Sequence, residues 1–277
     1  MIPISEKIGT CYSCATPIGN LNDISKRLES ILNDVSLIAA EDTRKTALLL
    51  AHLNIKKTLI SLEKHNEAMR FKTLFQAIQD GKDIAIVSDA GTPSISDPGS
   101  YTIAKLLEQQ VNVVPIPGPS AVTALVSVAG MGGDQYIFGG FFPRKEGQAL
   151  TLLKNMSKLS MPILFFESPK RIKQSMVLLE KNYPTAYCVL GKELTKLYET
   201  LLYGSPSEIL KQLKDDMLKG EWCFMVSLPK EKEAHNTTFI KQACELGLTQ
   251  SQIGALAKTL GWNKKDVYND VLKHKKN

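Results

Sequence analysis

Long apolar runs are missing from this 277-residue chain. The longest, such as Met161 to Phe166, fall far short of the ~18 residues that a membrane-crossing helix needs. Cysteine is scarce as well. Five residues, at 11, 14, 188, 223 and 244, are too few and too scattered for a disulfide framework. Cys11-Tyr-Ser-Cys14 has redox or half-zinc spacing, but it lies in a strand-like run, where a separation of three turns the two side chains to opposite faces. No second pair completes a metal site, so buried strand residues and no metal are expected. The first seven residues lack the basic-then-apolar layout of a secretion signal, and a cytoplasmic location is expected. Neither a Gly-x-Gly-x-x-Gly fingerprint nor a Gly-Lys-Ser/Thr phosphate loop occurs, which weighs against nicotinamide and ATP chemistry. Core-forming residues are plentiful: 43% hydrophobic against 22% charged excludes a disordered chain. The length allows one large domain or two ordinary ones.

Net charge is +6, unevenly spread. Pro143–Lys173 carries seven basic and two acidic residues, and Asn236–Asn277 seven and three, so the remainder is slightly acidic. Positive charge concentrated on an acidic body suits a polyanion-binding surface, although ordinary solvated helix faces give the same pattern.

Short β-rich runs alternate with helix-period segments, the pattern of an α/β fold. Strands are predicted at Thr10–Ala15, Val35–Ala39, Asp83–Val87 and Val111–Pro115. Helices are predicted from Asp23, around Phe71–Ile78, from an Asp97-Pro98 cap through Leu107, and from Pro119-Ser120. The Gly-rich stretch Gly130–Asp134 reads as a boundary between residues 1–130 and 134–228. Beyond it strands are expected at Tyr136–Phe141, Ile163–Phe166, Ala186–Leu190, Glu199–Tyr203 and Trp222–Leu228. Helices are expected at Ala149–Met156, Ile172–Leu179 and Ser207–Leu213. Pro229–Asn236 reads as a linker to a three-helix module over 237–277, with apolar stripes Ile253, Leu256, Ala257, Leu260 and Val267, Tyr268, Val271, Leu272.

Four loops fall where strands end and helices begin, the crevice where open α/β sheets bind ligands. They are Thr16–Asp23, Glu41-Asp-Thr-Arg44, Ser88–Gly99 and Pro117-Gly-Pro-Ser-Ala121. Glycine there lets backbone approach a ligand, while Ser, Thr and Asp supply short polar contacts. Each alone could be a structural turn; Glu41–Arg44 also reads as a helix cap with a local ion pair.

Taken together, Thr16-Pro-Ile-Gly-Asn-Leu21, Glu41-Asp-Thr-Arg44, Ser88-Asp-Ala-Gly-Thr-Pro93 and Pro117-Gly-Pro-Ser-Ala121 resemble the tetrapyrrole-methylase superfamily. More narrowly they resemble its 16S rRNA cytidine 2′-O-methyltransferase branch. The likeness continues through Gly140-Phe-Phe-Pro-Arg-Lys145, Phe165-Phe-Glu-Ser-Pro-Lys-Arg171, Glu193-Leu-Thr-Lys196 with Glu199, and Gly261, Lys265 and Tyr268. It implies a two-domain α/β, class III methyltransferase with a small C-terminal three-helix module. It also implies S-adenosylmethionine in the cleft between the α/β domains, no metal, and a homodimer acting on 16S rRNA of the small ribosomal subunit. Carried over, the cofactor residues are Pro17, Gly19, Ala90, Gly91, Thr92, Ile95, Ser96, Ser120 and Ala121, with Phe166 closing the site. Lys170 stands where the family pattern has His, and Lys192 where it has Arg.

A ribose hydroxyl is a weak nucleophile, so a base is wanted. Glu41, Asp42, Asp89 and Glu167 are candidates, with Lys170 if its pKa falls; Glu41, Asp42, Arg44 and Asp89 form the expected catalytic group. Arg44, Arg171, Lys192 and Lys196 are candidate phosphate holders, and Arg144, Lys145, Lys170 and Arg171 the expected RNA contacts. Two other readings stay open: a small-molecule, precorrin-type methyltransferase, and a non-catalytic RNA- or ribosome-binding protein that retains the fold.

Overall fold

The structure is a computed structural model that describes residues 8–131, 134–229, 237–262 and 264–274. Residues 1–7, Gly132-Gly133 of the expected boundary, 230–236 of the expected linker, and the side chain of Lys265 lie outside the described residues.

The first half runs β1 (Cys11–Cys14), α1 (Lys26–Asp34), β2 (Leu37–Ala40), α2 (Thr43–His52), β3 (Thr58–Ser61), α3 (Glu67–Gln79), β4 (Ile84–Val87), α4 (Ser100–Glu108), β5 (Val113–Ile116) and α5 (Ala121–Val128). Its five strands pair in parallel in the order β3-β2-β4-β1-β5. Parallel sheets are covered on both faces, hence the uninterrupted apolar strands Leu37–Ala40 and Ile84–Val87, buried at all four positions. Alternation sends Cys14, Ile38, Ala40, Ala85 and Val87 to the face under α1. Cys11, Leu37, Ala39, Ile84 and Ile86 go to the face under α3 and α4. Cys11 and Cys14 therefore sit on opposite sides of the sheet, and burial pushes both thiols up to about 12. They are inert packing residues at neutral pH.

The second half runs β6 (Ile137–Phe141), α6 (Glu146–Ser157), β7 (Ile163–Glu167), α7 (Ile172–Asn182), β8 (Tyr187–Lys192), β9 (Thr200–Gly204), α8 (Pro206–Gln212) and β10 (Trp222–Ser227). Its order is β6-β7-β10-β8-β9, parallel at β6–β7 and antiparallel elsewhere. One face packs on α6, α7 and α8 around Phe142, Phe165 and Phe224, whose ring centroids lie 5.1–5.4 Å apart. The other face packs Leu164, Val189, Cys223 and Met225 against Val122, Leu125 and Ala129. Thus α5, which follows the last strand of the first sheet, covers the second sheet.

The helices α9 (Thr237–Glu245), α10 (Gln250–Thr259) and α11 (Lys264–His274) form a separate compact unit around Ile240, Ala243, Ile253, Ala257, Val267 and Val271. Of the two expected stripes, Leu256, Leu260, Tyr268 and Leu272 are exposed.

Three elements differ from the sequence reading. Strand β3 occupies a stretch where no element is predicted, helix α2 is foreshadowed only by its Glu41–Arg44 cap, and α4 begins at Ser100, not at an Asp97 cap. Gly99, at φ 118°, takes the N-cap position without a side-chain bond of its own. The missing acceptor comes from α3: the buried Glu67 carboxylate accepts from Gly99 N–H (3.1 Å), Thr102 N–H (3.0 Å) and Thr102 Oγ1 (3.1 Å). A carboxylate on a helix N-terminus is favoured by both its free N–H groups and its dipole. Glu67→Ala should therefore lower unfolding stability by about 3 kcal/mol in urea titrations, since it leaves buried donors unpaired.

Candidate functional site

The loops that follow the first sheet's strands are laced to one another in the order of the strands. From β2 to β4, Asp42 N–H donates to Asp89 Oδ1 (2.9 Å), and Asp89 N–H donates to Glu41 Oε2 (3.3 Å). From β4 to β1, Thr16 and Gly91 exchange two backbone hydrogen bonds of 2.8 and 3.0 Å, and Thr16 Oγ1 donates to the Ser88 carbonyl (3.0 Å). Toward β5, Thr92 Oγ1 donates to the Pro119 carbonyl (3.4 Å). Gly91 has φ 88°, which favours glycine, and a Cβ there would in addition press on Ile18 Cγ2 at 3.3 Å.

These loops form one wall of a cleft of about 400 Å³, and the opposite wall comes from the second sheet. Of the residues expected to hold a cofactor, Ala90, Gly91, Thr92, Ile95, Ser96, Ser120, Ala121 and Phe166 line it together. Pro17 lines a smaller recess beside it, with Thr16, Leu21 and Asp89. Gly19 lies under Lys196, whose Cγ would be 2.3 Å from a Cβ at that position. Ser94 and Ser96 hold φ near 70° on either side of Ile95, a conformation costly for residues with a side chain. Lys64 Nζ secures that turn by donating to the Ser96 carbonyl (2.6 Å).

The expected catalytic group is divided. Glu41 and Asp89 line the cleft. Asp42 caps α2, accepts from Arg44 N–H (2.9 Å) and makes a forked pair with the Arg44 guanidinium (3.0 and 2.7 Å). Arg44 is 88% exposed, and its bonds hold the Asp42 carboxyl well below the usual range. The helix-cap alternative thus describes Asp42 and Arg44, while the neighbouring Glu41 faces the cleft. Asp89 serves mainly as a brace, since Lys45 Nζ takes its other oxygen at 2.7 Å.

On the second sheet, Glu167 borders the cleft, but its carboxylate accepts from Ser168 N–H (2.7 Å) and Ser175 Oγ (2.7 Å) and pairs with Arg171 (3.2 Å). The same Arg171 nitrogen donates to the carbonyls of Phe142 (3.2 Å) and Pro143 (2.8 Å). Arg171 therefore holds the β6 exit in place. Arg144, Lys145 and Lys170 are exposed. Lys192 is 5% exposed, at the end of β8.

The sequence reading missed Asp97, Lys45 and Glu221 among the cleft residues. Asp97 is the consequential one. Burial and the neighbouring Glu41 charge push its carboxyl up to about 6, and burial also raises Glu41. An Asp-Pro pair ahead of a helix reads as a cap, which hides this environment. The apolar Ile18, Leu194 and Phe166, the backbone of Ala90–Thr92 and the hydroxyls of Ser96 and Ser120 make the cleft suited to a ligand with both flat and polar parts.

Comparison with known proteins bears on the chain's family and fold. The profile of the tetrapyrrole (corrin/porphyrin) methylases matches residues 10–210. Ribosomal RNA small subunit methyltransferase I of Pasteurella multocida (strain Pm70) is 36% identical over 276 residues, 96% of this chain and 98% of its own length. The protein of the same name from Escherichia coli O157:H7 is 41% identical over 229 residues, 81% and 80% of the two chains. Among solved structures, diphthine synthase superposes with a TM-score of 0.64 at 14% identity, covering 80% of this chain and 90% of that one. The methyltransferase CobJ gives 0.59 at 16% identity, covering 79% and 94%.

The Asp97 environment has a measurable consequence. The folded protein keeps this proton between about pH 4 and 6, where the unfolded chain, with a carboxyl near 3.8, has lost it. Asp97 thus makes stability fall as pH rises through that window and stay lower above it. Asp97→Asn should raise stability at pH 7 by about 1 kcal/mol, after discounting for the solvent that reaches this half-buried group. The gain should vanish in denaturant titrations at pH 4.

Proposed function

The chain belongs to the tetrapyrrole (corrin/porphyrin) methylase family, and from that premise we propose that it methylates the ribose 2′-hydroxyl of a cytidine in 16S rRNA of the small ribosomal subunit. It is a methyltransferase, and S-adenosylmethionine is its methyl donor. The observation that carries the reading is the joining, in one cleft, of a glycine-paved backbone cradle with two carboxylates of raised pKa.

The donor, when bound, supplies an electrophilic methyl carbon. Ala90–Thr92, Ser96, Ser120 and Ala121 would hold it, with Ile18, Leu194 and Phe166 excluding water. At Asp97 a carboxylate with a pKa near 6 is a stronger proton acceptor than an ordinary aspartate and is ionised at neutral pH. We assign it the acceptor hydroxyl's proton, with burial first and the Glu41 charge second raising its basicity. Asp89 braces the loops, and Asp42 and Arg44 stand outside the chemistry. Arg144, Lys145 and Lys170 supply exposed positive charge for the RNA backbone. Among the described residues no helix is long and apolar enough to cross a membrane. We place the protein in the cytoplasm with the ribosome, working as a homodimer.

Transfer of labelled methyl groups into small ribosomal subunits, with a precorrin as the competing acceptor, tests the reading. Label in the subunit RNA is expected; label in the precorrin alone would favour the small-molecule alternative. In calorimetry the wild-type protein should bind S-adenosylmethionine in metal-free buffer. Gly91→Val should abolish that binding, because the branched side chain meets Ile18 and cannot adopt the required φ. Asp97→Asn should lower kcat by about 100-fold or more with cofactor affinity unchanged. Asp42→Asn should leave turnover close to wild type.

A further inference from the structure

Strand β6 is at the edge of the second sheet and pairs with β7 alone. Its register is irregular. Phe138 lies opposite Leu164 and Phe141 opposite Phe166, so three steps along β6 match two along β7. In a regular strand Phe138 and Phe141 would point to opposite faces. The extra residue cancels that alternation. Phe138 and Phe141 both stand edge-to-face with Phe166, at centroid distances of 5.1 and 5.6 Å. Phe142 turns to the other face and is buried against Phe165 and Phe224.

Two glycines make the bulge possible. A Cβ at Gly139 would sit 2.2 Å from the Phe165 ring, and Gly140 has φ 67°. The result is a phenylalanine that lines the cleft and yet is 63% exposed. Without the bulge the order of burial would reverse, with Phe141 inside and Phe142 out. Beyond its edge-to-face contact with Phe166, this large apolar ring is held mostly in water at the mouth of the cleft, where it presents a flat π surface to a ligand. The chain continues through Pro143 to Arg144 and Lys145, which are exposed and have no acidic partner among the described residues. An exposed aromatic with cations three and four residues further on can take a nucleobase and its flanking phosphates.

We propose that Phe141 is the stacking platform for the base of the acceptor nucleotide, splayed out of the RNA into the cleft, with Arg144 and Lys145 on the adjoining phosphates. Phe166, one strand further in and less exposed, keeps the cofactor side. This inference rests on the RNA reading above and adds the element that orients the base so that its ribose faces Asp97.

The test measures methyl transfer to small ribosomal subunits by Phe141→Ala, Phe141→Leu and Phe141→Trp, with S-adenosylmethionine affinity by calorimetry and the melting temperature of each variant. Loss of one stacked base predicts a fall in kcat/KM for the subunit of roughly ten- to hundredfold in Phe141→Ala. Cofactor affinity should be unchanged and the melting temperature nearly so, because the ring is mostly exposed and gives up only its edge-to-face contact with Phe166. Phe141→Leu, which keeps apolar bulk without a π face, should stay impaired, and Phe141→Trp should recover wild-type transfer. Wild-type transfer by Phe141→Ala would overturn the inference, as would full rescue by leucine. Weakened cofactor binding in Phe141→Ala would overturn it too, by placing the ring over the methyl donor. Failure of the wild-type protein to methylate subunits would instead overturn the RNA reading, and this inference with it.

Discussion

Three hydrogen bonds from Gly99 and Thr102 converge on the buried carboxylate of Glu67, and the shape of the cleft depends on them. A helix must satisfy its first N–H groups, and the usual solution is a side chain immediately before it. Here the acceptor comes from another helix across the face of the sheet. That substitution fixes the start of α4 at Ser100 and releases the residues before it from capping. Asp97 can then face the cleft, and the turn around Ile95 can hold its strained serines.

The lacing among the loops follows from the parallel order of the strands. Because β4 lies between β2 and β1, its loop touches both neighbours, through Asp89 on one side and Gly91 on the other. A single loop so braced moves as part of the sheet and not as a free segment, which is the rigidity that orientation of a methyl acceptor demands. The opposite wall is fixed by α5, whose Val122 and Leu125 pack on the second sheet's inner face. Both walls therefore rest on one apolar cluster.

Strong periodicity made most of the fold legible in the sequence. The predicted strands at Asp83–Val87, Ile163–Phe166 and Trp222–Leu228 lie within a residue or so of the observed ones, because buried apolar runs leave little choice. Strand β3 was not legible: it is a four-residue edge strand, none of whose positions is fully buried, so it carries little hydrophobic signal. Helix α2 was hidden by its opening residues, which read equally as a ligand loop. At the site, residue types were readable but directions were not. Nothing local distinguishes Glu41, which enters the cleft, from Asp42, which turns back to Arg44. Likewise Arg171 has the composition of an RNA contact, yet its guanidinium binds the Phe142 and Pro143 carbonyls. The first outcome turns on side-chain direction within a single turn, and the second on carbonyls 28 and 29 residues away that local pattern does not contain.

The two halves reach the cleft by the same physical device. In the first, a glycine at φ 118° starts a helix without the preceding aspartate and leaves that carboxylate to the site. In the second, a glycine at φ 67° completes a bulge that turns Phe141 toward the site and Phe142 into the core. Glu193 and Thr195, also at positive φ, shape the loop whose Lys196 crosses Gly19 and pairs with Glu193 and Glu221. Several backbone conformations that cost energy thus lie at or beside residues lining one cavity: Ser96, Glu193 and Thr195 in loops, and Gly140 in the β6 bulge. Such conformations persist only where surrounding packing over-determines them. The two aromatic and aliphatic cores supply that packing, which is why polar and aromatic groups can be held in water at the rim instead of collapsing inward.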